Sequence, residues 1–474
     1  MKPEFTKLFI NNQWVDAPST IEVKSPYDNR LIGNVGFADA PTMKKAIDAA
    51  AKAFEIMRKL PVHKVAEGLQ KMHDYLEANL EEIALDLSAE AGKPITLARS
   101  EVQRSLHTFQ EGVEESKRQY GESIPLDRKP WGEGRTGLVE YFPIGIIGSI
   151  SPFNFPLNLV SHKVVPALAS RNVVVLRPAR QTPFSAMHVA KAYEASGLPA
   201  GGLNVLPSDY AAADLFVDDE RVKMISFTGS PKVGWEIKGR AKTKRVTLEL
   251  GGNAPIIVHS DADLEKAAKA IASGGFTNAG QSCISAQRIY VHQTRYDEFL
   301  PLLKSKVEAI GYGNPADEKN SVGPLINTKE ADRIMDWIQE ALAGGGKLLT
   351  GGTREGNVIS PTVLTDTNHD MKVNCMEVFG PVITVTPYEN FDTVLAEANN
   401  SDFGLQAGLF TNNINLIHKA YQEIEAGGLV INDVSTWRID HMPYGGVKNS
   451  GFGREGVKYA MHEMSEMKLL IVAY

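Results

Sequence analysis

Along the first hundred residues, apolar positions recur every three or four residues among Ala, Glu and Lys. That spacing predicts amphipathic helices over 42–59, 62–87 and 94–120, the last carrying Glu101, Arg104 and His107. Beyond residue 143 short apolar runs alternate with helical stretches. Strands are predicted over 144–150, 172–176, 203–206 and 224–227, with helices over 161–170 and 185–196. Unbroken apolar strands between helices fit a parallel sheet covered on both faces. A second series follows Glu249, with strands over 255–258, 288–291 and 382–385 and helices over 264–272, 296–310 and 329–343. Two segments break the rhythm. Residues 121–141, rich in Pro, Gly, Asp and Arg, read as a projecting hairpin. The apolar end, 467–474, reads as a strand in need of a sheet edge, such as one offered by another subunit.

Composition narrows the function classes. A chain of 474 residues exceeds one hydrophobic core and is expected to divide into two or three domains. A net charge of −7 argues against nucleic acid or an anionic membrane as the main partner. No apolar run reaches bilayer-spanning length, and the opening residues show no hydrophobic secretory core. Two cysteines far apart make no disulfide framework and fit a reducing compartment. A cytoplasmic protein is expected.

Cys283 follows a small, glycine-containing stretch, 274–280, whose glycines would let a substrate or cofactor approach the backbone. The thiol is either apolar filling or a nucleophile. Asn154 sits between aromatics and prolines in Ser151-Pro152-Phe153-Asn154-Phe155-Pro156. It is either a turn residue or a rigidly held amide for a developing oxyanion. Glu249 ends an apolar run that enters Gly251-Gly252. As a strand-end carboxylate it faces solvent; in an apolar setting its raised pKa suits a general base. Phe227-Thr228-Gly229-Ser230-Pro231-Lys232-Val233-Gly234 closes a strand and opens a helix, where backbone N–H groups can hold phosphate.

Together these stretches, with Glu377-Val378-Phe379-Gly380-Pro381 and Pro443-Tyr444-Gly445-Gly446, resemble the aldehyde dehydrogenase superfamily over nearly the whole chain. The resemblance implies an α/β fold: a Rossmann-like cofactor domain (1–120 and 144–252), an α/β catalytic domain (253–445), and a small β oligomerisation element (121–143 and 455–474). It implies that Cys283 attacks an aldehyde as a thiolate, with Asn154 and the backbone N–H of Cys283 holding the oxyanion. Hydride then leaves for a nicotinamide and Glu249 activates water against the thioester. Branches that pass the acyl group to coenzyme A lack this glutamate, so hydrolysis is expected over acylation of coenzyme A. A catalytically inactive binding or structural protein on the same fold is disfavoured, because Cys283, Asn154 and Glu249 are all present.

The same resemblance assigns cofactor contacts to Ser151, Pro152, Phe153, Arg177, Ala179, Arg180, Gly229, Ser230, Gly234, Leu250, Glu377 and Phe379. Relatives that prefer NAD often have glutamate where Arg180 stands. An arginine attracts a 2′-phosphate, which tilts the expectation from NAD toward NADP. No metal is expected. Arg104, His107, His162, Ser282 and Arg438 are the candidate substrate contacts, placed as in branches acting on lactaldehyde, phosphonoacetaldehyde or glyceraldehyde 3-phosphate. A small anionic or hydroxylated aldehyde is therefore expected, in a homodimer or homotetramer. Cys375 is assigned to packing, and Lys163 has no role.

Overall fold

The apolar runs after residue 143 form the parallel centre of an eight-stranded sheet in the computed structural model, which describes residues 5–474. Its order is Gln13–Asp16, Lys7–Ile10, Leu203–Val205, Val173–Arg177, Ile146–Ile150, Val222–Thr228, Arg245–Glu249 and Gly451–Phe452. The five strands from Leu203–Val205 to Arg245–Glu249 are parallel. Every residue of Ile146–Ile150 and Val173–Arg177 is buried, so neither strand needs a polar face.

From Ile146–Ile150 the chain steps to Val173–Arg177 on one side and later returns to Val222–Thr228 on the other. Such a reversal opens a crevice at the carboxyl ends of the strands. The register sets Ile150 beside Arg177 and Phe227, and Thr228 beside Glu249. The loops that follow these residues emerge side by side.

A seven-stranded sheet forms the second layer. Its order is Lys347–Thr350, Thr362–Thr365, Val382–Tyr388, Ala286–His292, Ala254–Val258, Gln406–Phe410 and Gly428–Ile431. Each sheet has its own buried core, around Val164, Val175 and Ile225 in the first and Phe276, Phe299 and Ile383 in the second.

Several details depart from the sequence reading. The helix expected over 62–87 is two helices, Val62–Ala78 and Leu80–Ala91. At the joint Asn79 Nδ2 donates to the Tyr75 carbonyl at 2.7 Å, competing with the helical ladder. Four short strands, Lys7–Ile10, Gln13–Asp16, Ser19–Lys24 and Leu31–Phe37, precede the first helix, where helical patterns were read as dominant. The terminal strand Ser465–Ala473 finds its edge within its own chain, pairing antiparallel with Arg135–Pro143. Residues 455–464 do not join that projection. Glu455 is buried, and helix Val457–Glu463 packs Val457, Ala460 and Met461 inward, against Asn158–Ala169 among others.

Candidate active site

A cavity of about 610 Å³ opens along the carboxyl ends of the eight-stranded sheet. Asn154, Glu249 and Cys283 all line it. They arrive from three directions: the loop after Ile146–Ile150, the last residue of Arg245–Glu249, and the loop before Ala286–His292 in the other sheet.

The cysteine loop is strained and tightly held. Asn278, Ala279 and Gly280 have φ of 54°, 55° and 67°. An alanine in this left-handed region costs about 1–2 kcal/mol, which the surroundings must supply. Gln281 Nε2 donates to the carbonyls of Asn278 (3.2 Å) and Pro324 (3.3 Å), and its Oε1 accepts from Ile326 N (2.9 Å). Gly252 packs against Cys283 itself, since a Cβ there would lie 2.0 Å from the Cys283 carbonyl oxygen. Gly274 and Gly275 have a different task from the one expected. They sit in helix Leu264–Phe276, where a Cβ would strike Val434 or Ile383, so their smallness serves helix packing.

Asn154 is locked to that loop. Its Nδ2 donates to the Gln281 carbonyl at 3.0 Å, leaving the second amide hydrogen for a ligand. Its own carbonyl accepts from Asn278 Nδ2 (3.1 Å) and Lys93 Nζ (2.8 Å). Lys93 is fully buried and ion-paired with Glu101. The other Glu101 oxygen accepts from the backbone N–H groups of Leu157 (3.0 Å) and Asn158 (3.1 Å). Turn and rigid amide are thus one arrangement.

Electrostatics distinguish the reacting groups. Burial pushes the Cys283 thiol up to about 12, against the opposing hydrogen bond from Tyr444. Glu249 is buried with neither oxygen hydrogen-bonded among the described residues. Burial and the neighbouring Glu455 charge hold its pKa well above the carboxylate range, despite Arg438, Lys163 and Arg454. It does not face solvent as a strand-end residue. Glu377 accepts from Gly252 N at 2.9 Å, and burial raises it to about 7.

Most expected cofactor residues share the cavity wall: Ser151, Pro152 and Phe153, then Arg177, Ala179 and Arg180, then Gly229, Ser230, Leu250, Glu377 and Phe379. Gly234 is the exception. Its Cβ would lie 2.4 Å from Leu250 Cδ2, so it serves packing of helix Pro231–Arg240. Arg177 donates to the Ser208 carbonyl at 3.2 Å and lies 4.7 Å from the Tyr210 ring centre. Arg180 is exposed, with no carboxylate partner among the described residues. Phe379 (φ 50°) meets Phe153 edge to face at 6.0 Å.

Of the five candidate substrate contacts only Arg438 lines this cavity. Its side chain is buried, 3.7 Å from Glu455 and 3.6 Å over the Tyr444 ring, and its Nε–H has no partner among the described residues. Arg104 is turned to Asp440, which accepts from its Nη2 at 2.9 Å and from Asn158 Nδ2 at 3.3 Å. His162 Nε2 lies 2.9 Å from the same carboxylate, and burial first, then Arg438, lowers its pKa. These two are support behind the wall, because the carboxylate claims them. His107 is exposed one turn beyond Arg104, and Ser282 is buried off the cavity. Cys375 is half-buried and remote from this cluster, its Sγ 3.9 Å from the Asp370 carbonyl.

Sequence reasoning missed Tyr444, Glu455 and Lys93. Lys163, left without a role, is buried and ion-paired with Glu455 at 3.3 Å. Tyr444 stood in a quoted motif, but Lys93 follows Gly92 and Glu455 lies between Arg454 and Gly456, in stretches with no apolar period.

Comparison with known proteins places this geometry. The aldehyde dehydrogenase family model matches residues 14–470. 3-Sulfolactaldehyde dehydrogenase of Priestia aryabhattai is 44% identical over 466 residues, 98% of this chain and 97% of that protein. Aldehyde dehydrogenase 21 of Physcomitrella patens, solved with the reaction product succinate, has a TM-score of 0.97 and 42% identity, covering 100% of this chain and 99% of that one. Glyceraldehyde-3-phosphate dehydrogenase of Methanocaldococcus jannaschii, solved with NADP, has a TM-score of 0.92 and 40% identity, covering 96% and 99%. With Cys283, Asn154 and Glu249 gathered on one cavity between two α/β layers, the chain belongs to the aldehyde dehydrogenase family.

Proposed function

We propose that the protein oxidises a short aldehyde bearing an anionic or hydroxylated tail to its carboxylic acid, using NADP or NAD. The observation that carries this reading is the convergence of Cys283, Asn154 and Glu249 on one cavity. The relatives act on, or hold, compounds of this kind: sulfolactaldehyde, glyceraldehyde 3-phosphate and the dicarboxylate succinate.

The cavity fits a dinucleotide. Ser151 Oγ and Thr228 Oγ1 are buried on its wall without hydrogen-bond partners. Ser230 caps a ten-residue helix whose first N–H groups receive no side-chain cap. The eight-stranded layer would hold the dinucleotide, with Arg177 and Arg180 toward the adenosine ribose and Glu377 toward the other ribose. What a bound nicotinamide supplies is acceptance of hydride. Cys283, its thiol proton given up to solvent water, bonds through sulfur to the carbonyl carbon, and the resulting oxyanion sits against the free Asn154 N–H and the Cys283 backbone N–H. Loss of hydride leaves a thioester on Cys283. Glu249, once deprotonated, takes a proton from water as the water attacks that thioester, releasing the acid.

Charge around the site favours an anionic tail. Arg438 stands on the cavity wall with an Nε–H that has no hydrogen-bond partner among the described residues. A substrate anion would meet that N–H and the guanidinium charge. The test is kcat/KM for lactaldehyde, phosphonoacetaldehyde, sulfolactaldehyde and succinate semialdehyde with each cofactor. Arg438→Gln should lower kcat/KM about 10- to 100-fold on the acidic aldehydes relative to propanal, the scale of one charge-assisted hydrogen bond. Equal losses on charged and neutral aldehydes would remove Arg438 from substrate recognition. Added coenzyme A should not raise the rate.

Arg180 decides the cofactor in the same way. Arg180→Glu should raise KM for NADP about tenfold or more while KM for NAD holds or falls. If initial rates with both cofactors respond alike, the 2′-phosphate lies elsewhere.

The projecting three-stranded sheet leaves an edge of Ser465–Ala473 free and exposes Met467, Leu470 and Ile471 at 53–60%. A second copy covering it would make the protein a homodimer or homotetramer. No helix among the described residues is long and apolar enough to cross a membrane.

A further inference from the structure

Beyond the triad of nucleophile, amide and base, one hydroxyl touches the reacting sulfur. Tyr444 Oη lies 3.2 Å from Cys283 Sγ. The ring is 4% exposed and clamped at its backbone, where Tyr444 N donates to the Glu455 carbonyl at 3.1 Å and the Tyr444 carbonyl accepts from Glu455 N at 2.7 Å. Arg438 covers one face, its guanidinium carbon 3.6 Å from the ring centre. No other hydrogen-bond partner is recorded for the hydroxyl among the described residues. We propose that Tyr444 is a further catalytic residue, whose hydroxyl donates its hydrogen bond to Cys283 sulfur and stabilises the thiolate form. This rests on Cys283 being the nucleophile of the reaction proposed above.

The chemistry follows from what each group can offer. While the thiol is protonated, either atom can be the donor. Once the sulfur loses its proton it can only accept, and the neutral phenol is a donor already in place. Neutrality matters in a site that also holds Glu249 and Glu455: a phenol adds no second negative charge beside the sulfur. The cation over the ring draws electron density from the phenol and strengthens the hydrogen bond it gives. A thiolate held this way is more populated but less nucleophilic per molecule, since nucleophilicity falls with thiol pKa. Removing the hydroxyl should therefore hurt at neutral pH and cease to hurt where the thiol is ionised anyway.

The test is the pH profile of Cys283 alkylation by iodoacetamide in the full-length protein, wild type against Tyr444→Phe. Loss of one hydrogen bond to a charged sulfur should move the profile up by about one to two pH units and slow alkylation at neutral pH about tenfold or more. An unchanged profile overturns the proposal. Incorporating 3-fluorotyrosine at position 444 covers the case in which Tyr444→Phe does not fold. That more acidic phenol should shift the profile downward, and no shift or an upward one overturns the proposal. Aldehyde turnover is read separately by NAD(P)H absorbance. A shifted alkylation profile in a protein that oxidises no aldehyde supports the Tyr444 contact and refutes the function. Normal turnover with an unmoved profile does the reverse.

Discussion

Cys283→Ser is expected to reduce kcat by about 10⁴-fold or more while cofactor binding and the melting temperature stay near those of the wild type. Removing a covalent nucleophile from a preorganised site costs on the order of 10⁶-fold where it has been dissected, the rest of the site retaining a residue of catalysis. The substitution is nearly isosteric and, among the described residues, the Cys283 side chain has one hydrogen bond, to Tyr444. Folding should therefore be spared. Serine is a far weaker nucleophile here because no base is hydrogen-bonded to it: both Glu249 oxygens lack partners. Single-turnover NAD(P)H formation is the measurement. Retention of a tenth of wild-type turnover would show that the bond-forming atom is not this sulfur. Cys375→Ser should behave as wild type, since Cys375 lies outside the cavity.

Glu249→Gln separates the two halves of the reaction. The thioester should form and accumulate, giving a burst of NAD(P)H equivalent to the enzyme sites, followed by turnover about 10²- to 10⁴-fold slower. In the wild type the slow phase should quicken as pH rises through the raised Glu249 pKa, because only the carboxylate can accept a proton from water. The stability sign runs against this. A carboxyl whose folded pKa exceeds its unfolded value stabilises the fold fully below the unfolded value, and that contribution is lost as pH rises through the folded one. Glu249→Gln should thus be relatively more stable than the wild type at alkaline pH. Rapid-mixing absorbance and paired thermal melts decide both points. A variant that loses burst and steady state equally would assign Glu249 to formation of the thioester.

Much of this site was legible because its residues lie at strand ends. Glu249 and the Gly229 turn close buried apolar runs, and a parallel sheet sends such residues to one edge whatever the loops do. Arg104, Arg438 and His162 show the limit. All three were visible as basic residues, but only packing reveals that Asp440 takes Arg104 and leaves Arg438 on the wall. Asp440 and Glu455 gave no signal because a carboxylate in a polar stretch reads as solvated. The split at Asn79 and the four early strands were hidden for a related reason. The first depends on local side-chain competition and the second on short hairpin pairings, which a 3.6-residue period does not register.

Residues 250–253 carry the chain from the last parallel strand of one layer to the first strand of the other, Ala254–Val258, and they do so beside Glu249 and Cys283. The base lies before this crossing and the nucleophile after it. A polypeptide divided there would put Glu249 and Cys283 on different fragments, the first of them short of the Gly451–Phe452 edge strand and of Val457, Met461 and Met464 in its core. Turnover by a mixture of such fragments would report their reassembly directly. Activity in this protein is a property of a seam, and its tolerance to mutation should be read by distance from that seam and not by depth in either core.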